Sequence, residues 1–196
     1  METISQLRPD EIAEYVRAHI IMQAATYAHL AHGDFPKLLW RDFEHRVAEL
    51  TNRCTDGHDG GVDLVARSER GGIVGIAQTR HGVENWELGL FGDDWVRPAA
   101  TRVLKSLFLM PGTQGTGLGR RLLEAALPDD EPTYLWVMTE NIRAVRFYEH
   151  HGFVADGFEG ISAGWGDMRM QRMVRLRGGK TSPVPGGRRV DEDTVS

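Results

Sequence analysis

The chain has 196 residues, a length typical of one domain with a substantial core. Hydrophobic residues make up 41% of it and charged residues 26%, as in an ordinary globular protein. The formal net charge of −5, with no Lys/Arg block interleaved with aromatic residues, argues against a nucleic-acid-binding surface. Neither a basic stretch followed by an apolar core nor an apolar run of membrane-spanning length is present, so we expect a cytoplasmic protein without a membrane partner.

The cysteine and histidine content limits the possible disulfide, nucleophilic and metal chemistry. Cys54 is the single cysteine, which excludes an intramolecular disulfide and fits a reducing compartment. Its neighbours offer no base, so we expect a structural thiol and no covalent intermediate. The adjacent His150 and His151 would point about 100° apart on a helix, which argues against a metal pair. No metal is therefore expected.

The first sixty residues predict two helices and a loop. A first helix should begin at Pro9 and Asp10 and stop before Gly33. A second should begin near Pro36, a residue suited to a first helical turn. Residues 51–61 contain Asn, Asp and three glycines and predict a loop. The apolar faces of the two helices would be Ile12, Tyr15, Val16, His19, Ile20, Ala24 and Tyr27, and then Leu39, Phe43, Val47 and Leu50.

A hairpin and an irregular segment follow. Residues 62–66 and 73–79 predict two strands around a turn at 69–72. Residues 81–100 mix acids and tryptophans without a clear period. Two interpretations stay open for this segment, a covered surface patch and the lining of a ligand pocket on a loop. Its pocket candidates are Glu84, Trp86, Glu87 and Trp95.

The most informative stretch is a strand, a glycine loop and a helix. Residues 105–110 form an apolar run ended by Pro111 and Gly112, which predicts a buried strand. Helical spacing then starts at Leu118. Between them, Gly115, Gly117 and Gly119 allow positive φ and close approach of a ligand to the backbone. Free N–H groups and the positive end of the helix dipole would meet there, which predicts a phosphate or pyrophosphate site. An unliganded turn remains the alternative.

Two better-known phosphate loops are excluded at this place. A Walker loop ends in Gly-Lys-Ser/Thr, whereas Gly119 is followed by Arg120 and Arg121. A dinucleotide fingerprint reads G-x-G-x-x-G, and here the third glycine comes one residue early. Cations are unfavourable in a first helical turn, so the two arginines favour a bound polyanion.

The remaining elements complete a mixed α/β sheet covered on both faces. Residues 134–138 predict a strand and residues 142–148 a helix, capped by the segment 139–141 and stopped by Gly152. Strands should start near 153–155 and run through 168–176. The segment 177–196, rich in Gly, Pro and charge, predicts a flexible tail after a domain spanning 1–176.

Two spaced motifs resemble the GNAT superfamily of acyl-CoA-dependent N-acyltransferases. The first is Gln114-x-x-Gly117-x-Gly119, and the second runs from Asn141-x-x-Ala144-x-x-Phe147-Tyr148 to Gly152-Phe153. The element order fits from about residue 10 to 174, while the matching motifs lie within 107–153. The resemblance implies a GNAT-like fold, a mostly antiparallel sheet with a splayed parallel pair and helices on both faces.

The resemblance also implies acetyl-CoA as cosubstrate and assigns roles. Tyr148 would protonate the leaving thiolate, and a backbone N–H near Leu109 would meet the oxyanion. Asn141 would bind the pantetheine arm, although it is also a good helix cap. Tyr148 has the alternative of a core residue with its hydroxyl at the edge. The other implied cofactor-binding residues are Leu107, Phe108, Gln114, Gly115, Thr116, Gly117, Leu118, Gly119, Arg120, Ala144 and Phe147.

The acceptor side departs from the resemblance. Many relatives carry a glutamate base before the position of Leu107, where this chain has Val103, Leu104 and Lys105. Glu84, Glu87, Asp93 and Asp94 are substitute candidates, unless the amine needs no dedicated base. We expect transfer to a primary amine of a small molecule, such as an antibiotic, a polyamine or an amino-acid derivative, with Trp136 beside the earlier pocket candidates.

Several alternatives stay open at this point. They are a protein N-acetyltransferase, a catalytically silent acyl-CoA-binding module with a sensing role, and a nucleotide-binding enzyme that uses the same glycine loop. Assembly as a homodimer is also left open.

Overall fold

The computed structural model describes residues 2–27, 29–30, 34–56, 60–162 and 167–177. Within them the chain forms seven strands and six helices, with short 3-10 turns at Pro9–Glu11, Gly92–Asp94 and Pro111–Thr113. The strands are β1 Thr3–Gln6, β2 Asp63–Arg67, β3 Ile73–His81, β4 Arg102–Leu109, β5 Thr133–Met138, β6 Val154–Ser162 and β7 Met168–Arg175. The helices are α1 Ile12–Tyr27, α2 Phe35–Arg41, α3 Phe43–Asp56, α4 Asn85–Phe91, α5 Leu118–Ala126 and α6 Ile142–His150.

The seven strands form one sheet in the order β1-β2-β3-β4-β5-β7-β6. Every neighbouring pair is antiparallel except β4 and β5, which run parallel. That parallel pairing covers only Arg102 with Thr133 and Val103 with Tyr134. A mixed sheet with one splayed parallel pair confirms the predicted fold class.

Helices cover both faces of the sheet, as predicted. Residues of α1, α2 and α3 share one core cluster with Ile76 of β3 and Met138 of β5. Residues of α5, such as Leu118 and Leu122, share the other cluster with Tyr148 of α6. The sheet therefore separates an α1–α3 face from an α5–α6 face.

A bulge interrupts β4 at Lys105. Gln78 of β3 pairs with Ser106 while Thr79 pairs with Leu104, so Lys105 is the extra residue on β4. A bulge re-aims the side chains that follow it because it breaks the period of two. After the bulge, Ser106 and Phe108 pack toward α1, and Leu107 and Leu109 pack toward α5.

Four local predictions differ from the structure. The helix predicted from Pro36 is two helices that meet at Asp42, whose ψ of 3° leaves the helical range. Residues 51–56 are helical and belong to α3, and this part of the predicted loop contains no glycine. The segment 81–100 contains α4 and a 3-10 turn, and β1 lies where no strand was predicted. Short elements like these carry too few residues for a periodic signal. Gly33 and residues 178–196 of the predicted tail lie outside the described residues.

Candidate active site

The glycine loop between β4 and α5 has the conformation that its sequence predicts. Gly115 and Gly117 lie in the left-handed region, with φ of +84° and +85°. A Cβ built at either glycine would meet nothing within 4 Å, so the backbone faces open space. Gly117 is the N-cap of α5 and offers no side-chain acceptor, and no acidic residue occupies the first turn. The first N–H groups of α5 are thus left for an anion.

Gly117→Ala is expected to weaken coenzyme A binding at least tenfold. The added methyl group would enter the open space beside the N–H groups, and a left-handed alanine costs about 1–2 kcal/mol. Titration calorimetry with coenzyme A measures the change. Gly71→Ala is the matched control, because Gly71 has a φ of +87° and equally open surroundings in the β2–β3 turn. An equal loss of coenzyme A affinity in both variants would contradict a ligand at the loop.

The splayed pair β4–β5 leaves backbone groups of β4 without a strand partner. Met110 donates its N–H to Val74 O (2.9 Å). The backbone N–H and C=O groups of successive β4 residues then point alternately toward β3 and away from it. Phe108 therefore points its backbone to β3, while Leu107 and Leu109 point theirs toward β5. Because β5 pairs with β4 only at Arg102 and Val103, these two backbones face an open wedge. An extended ligand could add there as a strand.

The wedge, the glycine loop and α6 converge at Gly119. A Cβ built on Gly119 would lie 3.4 Å from Leu109 and 3.5 Å from Phe147. Gln114, at the start of the loop, accepts a hydrogen bond from the Arg143 guanidinium of α6. Leu107, Leu118 and Ala144 belong to the same core cluster. Most predicted cofactor residues thus lie together, whereas Phe108 turns its ring to the α1 face.

Arginine side chains flank the loop. Arg120 is exposed and lies 3.5 Å from Glu124, while Arg121 pairs with Glu2 of the N-terminal segment at 3.1 Å. Arg143 was not among the sequence-based candidates, since only the approach of α6 to the loop brings it there. The only sequence signal for Arg143 was its place two residues after Asn141, within the second motif.

Asn141 and Tyr148 meet a third polar side chain, Tyr27 of α1. Asn141 Oδ1 accepts from Ala144 N–H (3.2 Å) as the N-cap of α6, and the same side chain hydrogen-bonds the Tyr27 hydroxyl. Burial raises the pKa of Tyr27 to about 12. Burial and then the nearby Tyr27 raise the pKa of Tyr148 well above its usual range. Both phenols are therefore protonated at neutral pH and able to donate. Tyr27 was missed because it lies more than a hundred residues away in sequence.

The acidic and aromatic candidates of segment 81–100 divide into two groups. Glu87 is fully buried and accepts from the Tyr134 hydroxyl (2.8 Å) and from Trp95 Nε1 (3.5 Å). Its carboxylate is thus occupied within the protein, and Trp95 is its partner. Glu84 caps α4 and pairs with Lys105 at 2.9 Å. Asp94 is exposed, and the Asp93 side chain lies outside the described part of the structure.

Trp86 and Trp136 belong to an aromatic cluster on the α1–α3 side of the sheet. Trp136 of β5 contacts Trp86 at 5.6 Å and stacks on Phe91 at 5.2 Å between ring centroids. Trp86 is partly exposed, and the buried Trp136 Nε1 has no hydrogen-bond partner among the described residues. Among the residues predicted to bind the acceptor, Trp86 therefore has an accessible ring face and Trp136 has an N–H without a partner.

His19 of α1 is a buried polar residue that the sequence analysis assigned only to a core face. Arg46 Nη2 lies 2.8 Å from His19 Nδ1, and Ser106 Oγ lies 3.4 Å from Nε2. A guanidinium only donates, so Nδ1 must accept and Nε2 carries the proton. Burial, then Arg46 and Lys105, lower the pKa of His19 well below 6.5. The ring is neutral at neutral pH and is not a base in this tautomer.

Stability is expected to fall below pH about 6.5 in part through His19. The unfolded chain protonates this ring first as the pH drops, because the folded pKa is the lower one. The free energy of unfolding should then decrease by at most about 1.4 kcal/mol for each further pH unit. Chemical denaturation at pH 7.5 and 5.5 measures the effect. His19→Gln should flatten this dependence, and the exposed His45→Gln should not. Equal profiles for both variants would contradict the assignment.

The described residues offer neither a metal-binding cluster nor a membrane-spanning helix. No group of three or more His, Cys, Asp or Glu side chains is placed to hold a metal ion in that part of the chain. No described helix is both long and apolar enough to cross a bilayer.

Comparison with known proteins decides the family. The profile described as "Acetyltransferase (GNAT) domain" matches residues 23–174, most of the chain. The chain belongs to the GNAT acetyltransferases. A comparison with curated protein sequences gives no match.

Solved structures with the GNAT fold resemble the chain over most of its length. PaiA N-acetyltransferase from Thermoplasma acidophilum, in complex with coenzyme A, is 14% identical with a TM-score of 0.59, covering 88% of this chain and 98% of its own. A histone acetyltransferase HPA2 and related acetyltransferase from Corynebacterium glutamicum is 22% identical (TM-score 0.61; 90% and 97%). A variant of the spermidine N-acetyltransferase SpeG from Vibrio cholerae is 16% identical (TM-score 0.56; 89% and 94%). At these identities the likeness shows the fold alone.

Proposed function

We propose that this GNAT protein transfers an acetyl group from acetyl-CoA to a primary amine of a small molecule, by direct attack in a ternary complex. The observation that carries the proposal is the continuity of two backbone features. The wedge-facing groups of Leu107 and Leu109 lead directly into the left-handed glycines at 115 and 117 and the uncapped start of α5. A ligand with a peptide-like arm and a pyrophosphate matches this sequence of groups.

The residues present fit acetyl-CoA. The backbone N–H groups of residues 114–119, with Arg120 beside them, would hold the pyrophosphate. Leu107 and Leu109 would pair with the pantetheine arm, and Ala144 and Phe147 would cover it from α6. The side-chain oxygen of Asn141 caps α6, and the same side chain hydrogen-bonds Tyr27. The complex of PaiA N-acetyltransferase with coenzyme A supports this choice of ligand.

Two groups of the chain would act on the reacting atoms. Acetyl-CoA, when bound, supplies an activated thioester. The Tyr148 hydroxyl, kept protonated by burial, would donate its proton to the leaving sulfur. The Leu109 N–H, which faces the wedge, would stabilise the negative charge on the acetyl oxygen.

The acceptor would bind on the α1–α3 side of the sheet. Trp86 and Trp136 supply an aromatic wall. Glu84 was proposed as an acid for a cationic acceptor or as the base, and its pairing with Lys105 weakens both roles. An acceptor that enters partly as the neutral amine needs no dedicated base. SpeG, a spermidine N-acetyltransferase, illustrates a small amine as acceptor on this fold.

An acceptor screen with acetyl-CoA tests the proposal. Free thiol release is followed with amino acids, polyamines, aminoglycosides and peptides, and we expect release that depends on a small primary amine. In parallel, coenzyme A should raise the melting temperature and ATP should not. Binding of coenzyme A without any turnover would favour a silent acyl-CoA-binding module. Turnover with peptides alone would favour a protein N-acetyltransferase.

A further inference from the structure

A small polar cavity lies between α1, α3 and the bulge of β4, outside the proposed cofactor site. Its volume is about 60 Å³. The lining contains four basic residues and one acidic residue, which are Arg46, Arg53, Arg80, Lys105 and Glu49. Tyr15, His19 and Gln78 contribute the neutral polar part of the wall. Asp63 pairs with both Arg53 and Arg80, and Glu84 and Glu49 lie near Lys105, so four cations against three carboxylates leave one net positive charge, which favours an anionic occupant.

The hydroxyl of Tyr15 is the second observation that points to a ligand. Tyr15 is 1% exposed, and its hydroxyl is buried with no hydrogen-bond partner among the described residues. A buried hydroxyl without a partner is costly, and it is rare in folded proteins. The hydroxyl belongs to a residue that lines the cavity beside the basic side chains, so an anion bound there would be the acceptor of its hydrogen bond.

Arg46 gives the cavity a cation without a carboxylate partner. Its guanidinium donates to Gln23 Oε1 (2.9 Å) and to His19 Nδ1 (2.8 Å), and both acceptors are neutral. No carboxylate lies within 4 Å of it in the described ranges. Arg80, by contrast, is held by Asp63 at 2.8 Å. Asp42 and Glu49 act on this guanidinium only at longer range, so a half-buried cation with neutral hydrogen-bond partners remains to attract an anion.

The size of the cavity limits the anion to a small group. One water needs roughly 10–15 Å³ of such volume, so a space of about 60 Å³ holds about four to six water-sized groups. A carboxylate, with three heavy atoms, fits with room to spare, whereas a phosphate, with five, would fill the space. Guanidinium groups also match the planar geometry of a carboxylate. The rim is accessible, because the side chains of Glu49 and Lys105 are 52% and 32% exposed.

We propose that this cavity binds the carboxylate of the acceptor, so that the substrate of the proposed acetyl transfer is an amino carboxylic acid. The inference rests on the proposed function, which supplies the acetyl transfer to the amine at the other end of the acceptor. Lys105 lies four residues before Leu109, whose N–H would meet the acetyl oxygen, a separation of roughly 13 Å along β4. An acceptor with about five carbons between its amine and its carboxylate covers that distance together with the contact to the acetyl carbon and the hydrogen bonds at the cavity. A second ammonium group would face the basic wall, which disfavours polyamines.

Matched acceptors and variants test the inference. The kcat/KM for acetylation of 6-aminohexanoate should exceed that of 6-aminohexanamide and of 1,6-diaminohexane by ten- to hundredfold, as expected for charged hydrogen bonds. Tyr15→Phe and Arg46→Gln should each remove most of this preference through KM. Tyr15→Phe should not lower stability, because the hydroxyl has no protein partner. Arg41→Gln, on the exposed end of α2, is the control that should keep the preference.

A binding measurement separates the two proposals. Titration of the coenzyme A complex with 6-acetamidohexanoate should give at least tenfold tighter binding than with the corresponding amide. Equal binding of the two compounds overturns the carboxylate site, whether or not turnover occurs. Acetylation of amines without a preference for the carboxylate also overturns it and leaves the proposed function intact. Tight carboxylate binding with no acetyl transfer would reject the proposed function and keep the site.

Discussion

Replacing Asp63 with alanine is expected to lower the free energy of unfolding by about 3–5 kcal/mol. Asp63 of β2 is 2% exposed and accepts hydrogen bonds from three side chains. Its Oδ1 accepts from Gln78 (2.7 Å) and Arg80 (2.8 Å), and its Oδ2 accepts from Arg53 (2.8 Å). Arg80 is 4% exposed, so loss of the carboxylate would leave a buried guanidinium without its counter-charge. Removing one member of a buried ion pair costs far more than the pair contributes.

Asp129→Ala is the control for this prediction. Asp129 also binds a buried arginine, with Arg102 Nη2 at 2.7 Å, but its own side chain is 56% exposed. Arg102 keeps Thr133 and Glu131 as partners after the change. We expect a loss of about 1 kcal/mol or less, as for exposed pairs. Urea denaturation of both variants measures the difference, and equal losses would contradict the importance of burial at Asp63.

Tyr148→Phe is expected to reduce kcat by roughly a hundredfold or more, with little change in the KM for acetyl-CoA. The substitution removes only the hydroxyl that would protonate the leaving sulfur. The ring contacts with Phe147 and Phe153, at 5.3 and 5.7 Å between centroids, should persist. Steady-state kinetics with the best acceptor from the screen measures both constants.

Tyr27→Phe is the matched control for the acid role. Tyr27 lies in the same polar cluster and its pKa is also raised by burial, but its hydroxyl interacts with Asn141. We expect its kcat to stay within about threefold of the original. A Tyr148→Phe enzyme with undiminished kcat would remove Tyr148 as the acid, and equal losses in both variants would point to packing.

Local patterns in the sequence were sufficient to predict the conformation of the glycine loop and the starts of α5 and α6. Positive φ at Gly115 and Gly117 follows from glycine itself, and the helix that starts at Leu118 follows from its apolar spacing. Asn141 caps α6 as its residue type predicts. These features depend on residues a few positions apart, so their signals survive in a single sequence.

The acceptor side depends on contacts that a linear pattern does not encode. Glu87 looked like a pocket acid, but its carboxylate is buried against Tyr134. Lys105 stands in the segment where many relatives carry a glutamate base. In the structure it forms a bulge and pairs with Glu84. Each of these partners is more than twenty residues away in sequence from the group that it contacts.

The strand-loop-helix conformation around the glycines, the mixed sheet and the resemblance to the GNAT superfamily could all be predicted from the sequence, because local backbone preferences and motif spacing carry that information. Which charges are compensated became visible only in the folded structure. It gave Asp63 three partners, left the Arg46 guanidinium with neutral ones and buried the Tyr15 hydroxyl without any. Whether a buried group finds a partner depends on long-range packing between α1, α3, β2 and β4, which no local pattern of the sequence encodes.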